Sequence, residues 1–274
     1  MDQSLSPSSQ GTAFVDVYGL IGFPLGHSFS VKYFAEKFQR EGIQAVYENF
    51  EFSQLPDLHQ WCESRPYLRG FNVTIPHKQT IVAQLDALSL AATEVGAVNV
   101  VRCVRSAEGK VRLLGDNSDW VGFTESLRPL LRPDIQHALV LGTGGASRAV
   151  VVALRHLGIS PTYVSRYAKS EGVKVGGQSV SVLTYDELTP EVMKSHLLII
   201  NTTPMGMYPL VQAAPQIPYA QLTSAHILYD LVYNPLQTQF MQLGLAQGAV
   251  VKNGLEMLHL QAEAAWQTWQ NLAL

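Results

Sequence analysis

The chain has 274 residues, 47% hydrophobic and 15% charged, enough for one large or two moderate domains with a sizeable core, and a disordered chain is excluded. Its formal net charge of −3 gives no general pull toward nucleic acid or an anionic membrane, so any anion must be held by local groups. Cys62 and Cys103 lack a metal-type spacing and are expected to be free thiols in a reducing cytosol, and no apolar run is long enough to span a membrane.

Residues 1–12 are Ser/Gln-rich without the apolar centre of a secretory signal and read as a loose tail. Residues 14–22 read as a first strand, followed by Gly22-Phe23-Pro24-Leu25-Gly26-His27-Ser28-Phe29-Ser30. This is a loop just after a strand, where α/β proteins place ligand sites. In extended backbone Ser28 and Ser30 present both hydroxyls to one side, as donors for a carboxylate. Ser30 equally suits the N-cap of the helix that follows to about Arg40 and stops at Gly42. His27 reads as a hydrogen-bonded structural histidine. A strand over 47–52 and a helix over 55–63 come next.

Asn72-Val73-Thr74-Ile75-Pro76-His77-Lys78 begins as a strand, with Phe71, Val73 and Ile75 on one side and Asn72 and Thr74 on the other. Two polar residues on one strand face suit the floor of a polar pocket. Pro76 ends the strand and suits the opening of a helix over 78–85. Lys78 in its first turn would meet the positive end of the helix dipole, which lowers a lysine pKa and makes a candidate acid/base. The alternative is an ordinary exposed lysine at a solvated helix start. Residues 97–101 read as an apolar strand interrupted by Asn99, a buried amide that needs a backbone partner or a ligand. A turn over 105–109 leads to a return strand over 111–114. Asn117 or Ser118 can cap the next helix, which carries Trp120, Val121, Phe123, Leu127 and Leu130. Asp119 falls in its first turn, where the dipole favours a carboxylate, so a capping role accounts for it locally.

Residues 137–141 form a buried strand running into Gly142-Thr143-Gly144-Gly145-Ala146-Ser147, then an apolar helix to Leu157 and a strand over 162–165. Strand, Gly-rich turn, helix and strand within ~30 residues is the context of a dinucleotide fingerprint. Gly142 allows the tight turn, Gly144 lets backbone N–H groups approach a pyrophosphate, and Ser147 keeps helix and strand close, with the helix N-terminus facing the phosphates. The alternative is a purely structural βα turn. An NAD site usually carries an acidic residue at the end of the second strand. Here Ser165-Arg166-Tyr167-Ala168-Lys169 carries none. Arg166 and Lys169 can neutralise a 2′-phosphate, and Arg166 can stack on adenine, which favours NADP(H) over the alternative of a solvated basic turn. A strand over 197–200 ends in Asn201-Thr202-Thr203-Pro204-Met205-Gly206-Met207, a loop suited to the cofactor crevice, with Thr202 and Met205 as candidate contacts. A strand over 227–232 precedes Tyr233-Asn234-Pro235, where Pro235 starts a helix over 236–244, and the last strand is 249–252. The C-terminal helix places Leu258, Ala262, Ala265, Trp266, Trp269 and Leu272 in the core, with Gln261 either a packed amide or a ligand contact.

Together these motifs closely resemble the shikimate dehydrogenases, over nearly the whole chain from about Tyr18 to Trp266. The resemblance is carried by His27-Ser28-Phe29-Ser30, the Asn72–Lys78 heptapeptide, Gly96-Ala97-Val98-Asn99, Asn117-Ser118-Asp119, the 142–146 loop, residues 201–207, Tyr233-Asn234-Pro235, and Met257-Leu258 with Gln261. It implies an α/β fold of two domains: a substrate domain over 1–118 and 253–274, to which the C-terminal helix returns, and a Rossmann-like NADP domain over 119–252. It also implies reversible hydride transfer between NADPH and the C3 carbonyl of 3-dehydroshikimate, in a cytoplasmic enzyme of chorismate and aromatic amino acid biosynthesis. That enzyme would be a monomer or homodimer with no metal, nucleic acid or membrane partner. By match to the family, Ser28 and Ser30 hold the substrate carboxylate, Asn72, Thr74, Asn99 and Gln261 contact ring hydroxyls, and Tyr233 lies near the substrate. Lys78 and Asp119 match the catalytic pair. The cofactor side comprises Gly142, Thr143, Gly144, Gly145, Ala146, Ser165, Arg166, Lys169, Thr202 and Met205. The chemistry agrees, since an alkoxide forming in a dry cleft needs a proton donor.

Two stretches depart from the family pattern. Val31 stands where the family usually has proline, and Ser165-Arg166-Tyr167 stands where it commonly has Asn-Arg-Thr, exchanging a hydroxyl for a bulky ring. The rival readings are a quinate/shikimate dehydrogenase that uses NAD, opposed by Arg166 and Lys169, and a non-catalytic metabolite sensor, opposed by the retained Lys78, Asp119 and Gly-rich loop.

Overall fold

Two six-stranded sheets follow one another along the chain. The structure, a computed structural model, describes residues 15–26, 29–167 and 170–271. The first sheet is assembled from β1 (Asp16–Gly22), α1 (Phe29–Glu41), β2 (Ala45–Glu51), α2 (Leu58–Glu63), β3 (Leu68–Val73), β4 (Ala87–Leu88), α3 (Leu90–Val95), β5 (Val100–Arg105) and β6 (Val111–Asp116). Its strand order is β2-β1-β3-β5-β6-β4, with β1 parallel to β2 and β3, and β5 antiparallel to both of its neighbours. The register sets Leu20 beside Asn72 and Ile21 beside Val73, so the loop after β1 and the segment after β3 emerge at one edge. Alternation buries Ile21, Phe71, Val73, Val101 and Leu113 on one face with Leu58 and Cys62 of α2. The other face buries Tyr18, Phe34, Tyr47 and Val100 with Ala265 and Trp269 of the C-terminal helix. Gly70 exists for that helix: a Cβ there would lie 2.5 Å from the Trp269 ring.

The chain then continues through α4 (Asp119–Leu127), β7 (His137–Leu141), α5 (Gly145–His156), β8 (Ser160–Ser165), the hairpin β9 (Val173–Val175) and β10 (Gln178–Val180), and β11 (Val182–Thr184). It ends with α6 (Pro190–Ser195), β12 (Leu198–Asn201), β13 (Ile227–Asp230), α7 (Gln239–Leu245), β14 (Val250–Lys252) and α8 (Leu255–Gln270). The second sheet is parallel throughout, in the order β11-β8-β7-β12-β13-β14. The order reverses between β7 and β12, and such a switch point opens a crevice beyond the carboxyl ends of the strands. Helices α4 and α8 pack closely between the sheets, and a Cβ on Gly122 of α4 would meet the Met257 carbonyl of α8 at 2.7 Å.

Several local expectations are corrected. No α-helix spans 78–85: a 3-10 turn covers Thr80–Gln84, and Lys78 lies in the turn before it. The Lys78 carbonyl accepts from the Val98 N–H at 2.7 Å, a bond across the fold that takes it away from helix formation. The helix-dipole argument for Lys78 therefore has no basis. Ile75 is 73% exposed because the strand stops at Val73 and the chain turns. The strand expected over 97–101 begins at Val100, with Asn99 in a bend ahead of it. Pro235 does not start a helix; α7 begins at Gln239, where the Thr238 side chain accepts from the Met241 N–H. The helix after Asp119 ends at Leu127 and continues only as a 3-10 turn containing Pro129.

Candidate active site

The crevice between the two sheets holds a cavity of about 620 Å³, and its lining contains Lys78, Asp119, Ser30, Asn72, Thr74, Asn99, Tyr233 and Gln261. Separate stretches of sequence thus deliver one polar cluster. Ser28 and Lys169, which the sequence also points to, lie outside the described residues.

Lys78 Nζ donates to Asp119 Oδ2 at 2.7 Å, and both side chains are largely buried. The other oxygen of Asp119, Oδ1, accepts from Asn99 Nδ2 at 2.8 Å. Asn99 Nδ2 also reaches Ser118 Oγ at 3.1 Å, and its Oδ1 accepts from the Ser118 N–H at 2.7 Å. Both amide protons of Asn99 are therefore used, and it meets a ligand only through its remaining acceptor capacity. Asn117 Oδ1 accepts from the Asp119 N–H at 3.1 Å, satisfying the first N–H of α4, while Ser118 makes no side-chain cap. Asp119 is thus fixed at a helix start with both oxygens aimed, and a capping role does not describe it.

Asn72 sits on the pocket floor. Its Oδ1 accepts from the Tyr47 hydroxyl at 2.8 Å and its Nδ2 donates to the Asn99 carbonyl at 3.1 Å, leaving one N–H of the amide for the cavity. Tyr47 is also hydrogen-bonded to Ser30, and complete burial drives its phenol well above the ordinary range, so it remains a neutral donor. Sequence reasoning missed Tyr47. It is the one buried residue of β2, and its partners become visible only once β2 is placed beside β1 and β3. Gln261 anchors its Nε2 on the Leu258 carbonyl at 2.9 Å and lies within 3.5 Å of Ser118 Oγ. Tyr233 shares the wall with Phe29, ring centroids 6.0 Å apart, and burial raises its pKa.

The second sheet supplies the opposite wall. Gly142 has φ +97°, a conformation that favours glycine, and its N–H is held by the Val164 carbonyl at 2.9 Å. A Cβ on Gly144, the N-cap of α5, would meet nothing within 4 Å, so open space fronts the helix N-terminus. Gly145 faces the other wall: a Cβ there would lie 3.7 Å from Lys78 Cβ. Ala146 lines the cavity itself. Ser147 is fully buried and donates to the Gly144 carbonyl at 2.7 Å, closing the turn. Thr202 Oγ1 donates to the Leu141 carbonyl at 2.6 Å, and the Met205 carbonyl accepts from Asn201 at 3.2 Å, so this loop flanks the Gly-rich turn. Ser165 ends β8 next to that turn. Arg166 follows on the surface, its guanidinium 5.8 Å from the centroid of Tyr167, which is 72% exposed. Open backbone at a helix N-terminus beside an exposed guanidinium fits a phosphorylated dinucleotide.

The family model described as "Shikimate dehydrogenase substrate binding domain" matches residues 20–101. The shikimate dehydrogenase (NADP(+)) of Clostridium beijerinckii is 36% identical over 266 residues, covering 95% of this chain and 94% of the relative. The crystal structure of shikimate dehydrogenase from Aquifex aeolicus superposes with a TM-score of 0.80 at 32% identity, over 94% of this chain and 93% of that one. Shikimate 5-dehydrogenase from Thermus thermophilus, solved with NADP(H) and shikimate, gives a TM-score of 0.77 at 30% identity over 94% of both chains. A fold shared end to end, together with a Lys–Asp pair facing a dinucleotide loop, places this chain in the shikimate dehydrogenase family.

Proposed function

We propose that this protein catalyses the reversible NADPH-dependent reduction of 3-dehydroshikimate to shikimate, with Lys78 and Asp119 as its acid/base pair. The observation that carries the reading is the 2.7 Å contact of Lys78 with Asp119 in a cavity that also takes in Asn72, Thr74 and Gln261 and, from the Gly-rich loop, Ala146. Residues 1–118 and 253–274 form the substrate domain and 119–252 the cofactor domain. The two sheets, and a family match confined to the first of them, support that division.

NADP(H), when bound, supplies the hydride. The 142–146 loop and the α5 N-terminus would hold its phosphates, Arg166 would neutralise the 2′-phosphate, a role the sequence also offers Lys169, and Thr202 and Met205 would border it. The protein's own task is the proton. As the C3 carbonyl oxygen gains negative charge, the Lys78 ammonium donates to it, and in the reverse direction the Lys78 amine accepts from the C3 hydroxyl. Asp119 aims Nζ through Oδ2 and accepts from the neighbouring ring hydroxyl, completing the pair. The substrate carboxylate would be met by Ser30, its hydroxyl turning from Tyr47, with Ser28 as the second donor the sequence offers, and the ring hydroxyls would meet the free N–H of Asn72 with Thr74, Gln261, Tyr233 and the Oδ1 of Asn99. All of these groups come from one chain, so the proposed site is complete within a monomer. The two cysteines of the chain and their lack of a metal-type spacing support a reducing cytoplasmic setting.

The test is a spectrophotometric assay of 3-dehydroshikimate reduction with NADPH and NADH in parallel. A much higher kcat/KM with NADPH is expected. Equal use of NADH would keep the chemistry and discard the role given to Arg166 and Lys169. Folded protein that binds shikimate but turns over with neither cofactor would identify a sensor.

A further inference from the structure

Strands β12 and β13 end side by side, with Asn201 in register with Asp230, and both residues are fully buried. Asp230 Oδ1 accepts from Asn201 Nδ2 at 2.9 Å and from the Val232 N–H at 3.0 Å, and its Oδ2 accepts from Thr238 Oγ1 at 2.6 Å. Among the described residues no cation forms an ion pair with it. A carboxylate without a counter-charge is costly to bury, and burial raises its pKa to about 6. A strand end needs no such group, so what the carboxylate holds is informative.

Each of its three donors belongs to a different segment around the cleft. An ionised carboxylate only accepts, so Asn201 must turn its amide nitrogen toward Asp230 and its oxygen away. That oxygen then accepts from the Thr203 N–H at 3.0 Å and from Thr203 Oγ1 at 2.7 Å, while the nitrogen also reaches the Met205 carbonyl at 3.2 Å. The carboxylate sets the amide, and the amide sets the turn that borders the cofactor. The Val232 N–H lies between Leu231 and Tyr233, both of which line the cavity. Thr238 caps α7 and backs the same loop, since a Cβ on Gly206 would lie 3.0 Å from Thr238 Cβ.

We propose that Asp230 is a positioning residue: one buried carboxylate locks the cofactor-side loop 202–207 and the substrate-side segment 231–233 into a single register. It does not itself line the cavity and acts through Asn201, the Val232 backbone and Thr238. The inference rests on reading those two segments as the cofactor and substrate walls.

The experiment compares wild type, Asp230→Asn and Thr238→Ala by steady-state kinetics, thermal melting and amide hydrogen exchange. Asparagine keeps the shape but puts an N–H donor either against Thr238 Oγ1 or against the Asn201 and Val232 donors, so at least one of the three bonds is reversed or lost. Asp230→Asn is expected to lower kcat/KM about ten- to a hundredfold, as misplaced reactants do, with KM rising for NADPH and for 3-dehydroshikimate. Exchange should quicken in 202–207 and 231–238 while the melting temperature does not fall. Thr238→Ala should loosen the same two segments less and keeps the test open should Asp230→Asn not fold. Kinetics within about twofold of wild type would overturn the proposal. So would unchanged exchange in both segments, or a uniform loss of protection, which is the mark of a purely stabilising role. A wild type inactive on 3-dehydroshikimate would defeat the proposed reaction, whereas the exchange pattern still decides whether Asp230 sets the register.

Discussion

At the scale of single residues, the site is a chain of fixed hydrogen bonds behind a few free ones. Tyr47 commits its hydroxyl to Asn72, which commits one proton to the Asn99 carbonyl, and Asn99 commits both protons to Ser118 and Asp119. Tyr47→Phe leaves the Asn72 oxygen buried without a donor. It should cost about 1–3 kcal/mol of stability and raise the KM for shikimate more than it lowers kcat, measured by denaturant unfolding and initial rates. Arg166→Ala should raise the KM for NADPH while leaving that for NADH nearly unchanged, and a parallel rise in both would remove the 2′-phosphate from the account. Asp230 also makes a prediction about pH. Its folded pKa of about 6 lies above the ordinary 3.8, so between those values the folded state binds more protons than the unfolded state. Its contribution therefore weakens stability as pH rises through that window, by up to about 3 kcal/mol, and levels off above it. Unfolding free energies of wild type and Asp230→Asn, measured at about pH 4.5 and about pH 7.5 on either side of most of that change, should diverge in that sense.

At the scale of elements, legibility followed the range of the interactions. The unit β7, Gly-rich turn, α5, β8 could be read because buried-strand runs, helical periodicity and glycine chemistry are all local. The stretch after Pro76 could not, because its proline and helix formers suggest a helix while the Lys78 carbonyl is taken by Val98, a partner set by the tertiary fold. The short pieces α3, α6 and the β9–β10 hairpin span too few residues to show a period. In the site, Lys78, Asp119, Ser30, Asn72, Thr74, Asn99, Tyr233 and Gln261, all named from local motifs, line one cavity, whereas Tyr47 and Asp230 carry no local signature. The α8 start offers a sharp test at this scale. A Cβ on Gly254 would lie 2.2 Å from the Leu231 carbonyl, a clash with backbone that no rotamer relieves. Gly254→Ala should cost about 1–3 kcal/mol and move Leu231 on the cavity wall, seen as lower stability together with a higher KM for substrate.

At the scale of the whole molecule, the proposed chemistry belongs to neither sheet alone. The first sheet brings Lys78, Asn72 and Ser30; the second brings the Gly-rich loop and the 202–207 turn; α4 and α8 join them and carry Asp119 and Gln261. Arg148 of α5 reaches across to the Val95 carbonyl at 2.8 Å and His156 to Glu94 at 2.9 Å, so α3 is tied directly to the cofactor side. The approach of Gly145 to Lys78 is the consequence that matters, because it sets the proposed proton donor against the wall where a hydride donor would lie. The most direct measurement is therefore kcat and KM for Lys78→Ala in 3-dehydroshikimate reduction with NADPH. The account predicts a fall in kcat of about 10²–10⁴-fold with a much smaller change in KM. A nearly unchanged kcat with a raised KM would make Lys78 a binding group and contradict its role as the acid.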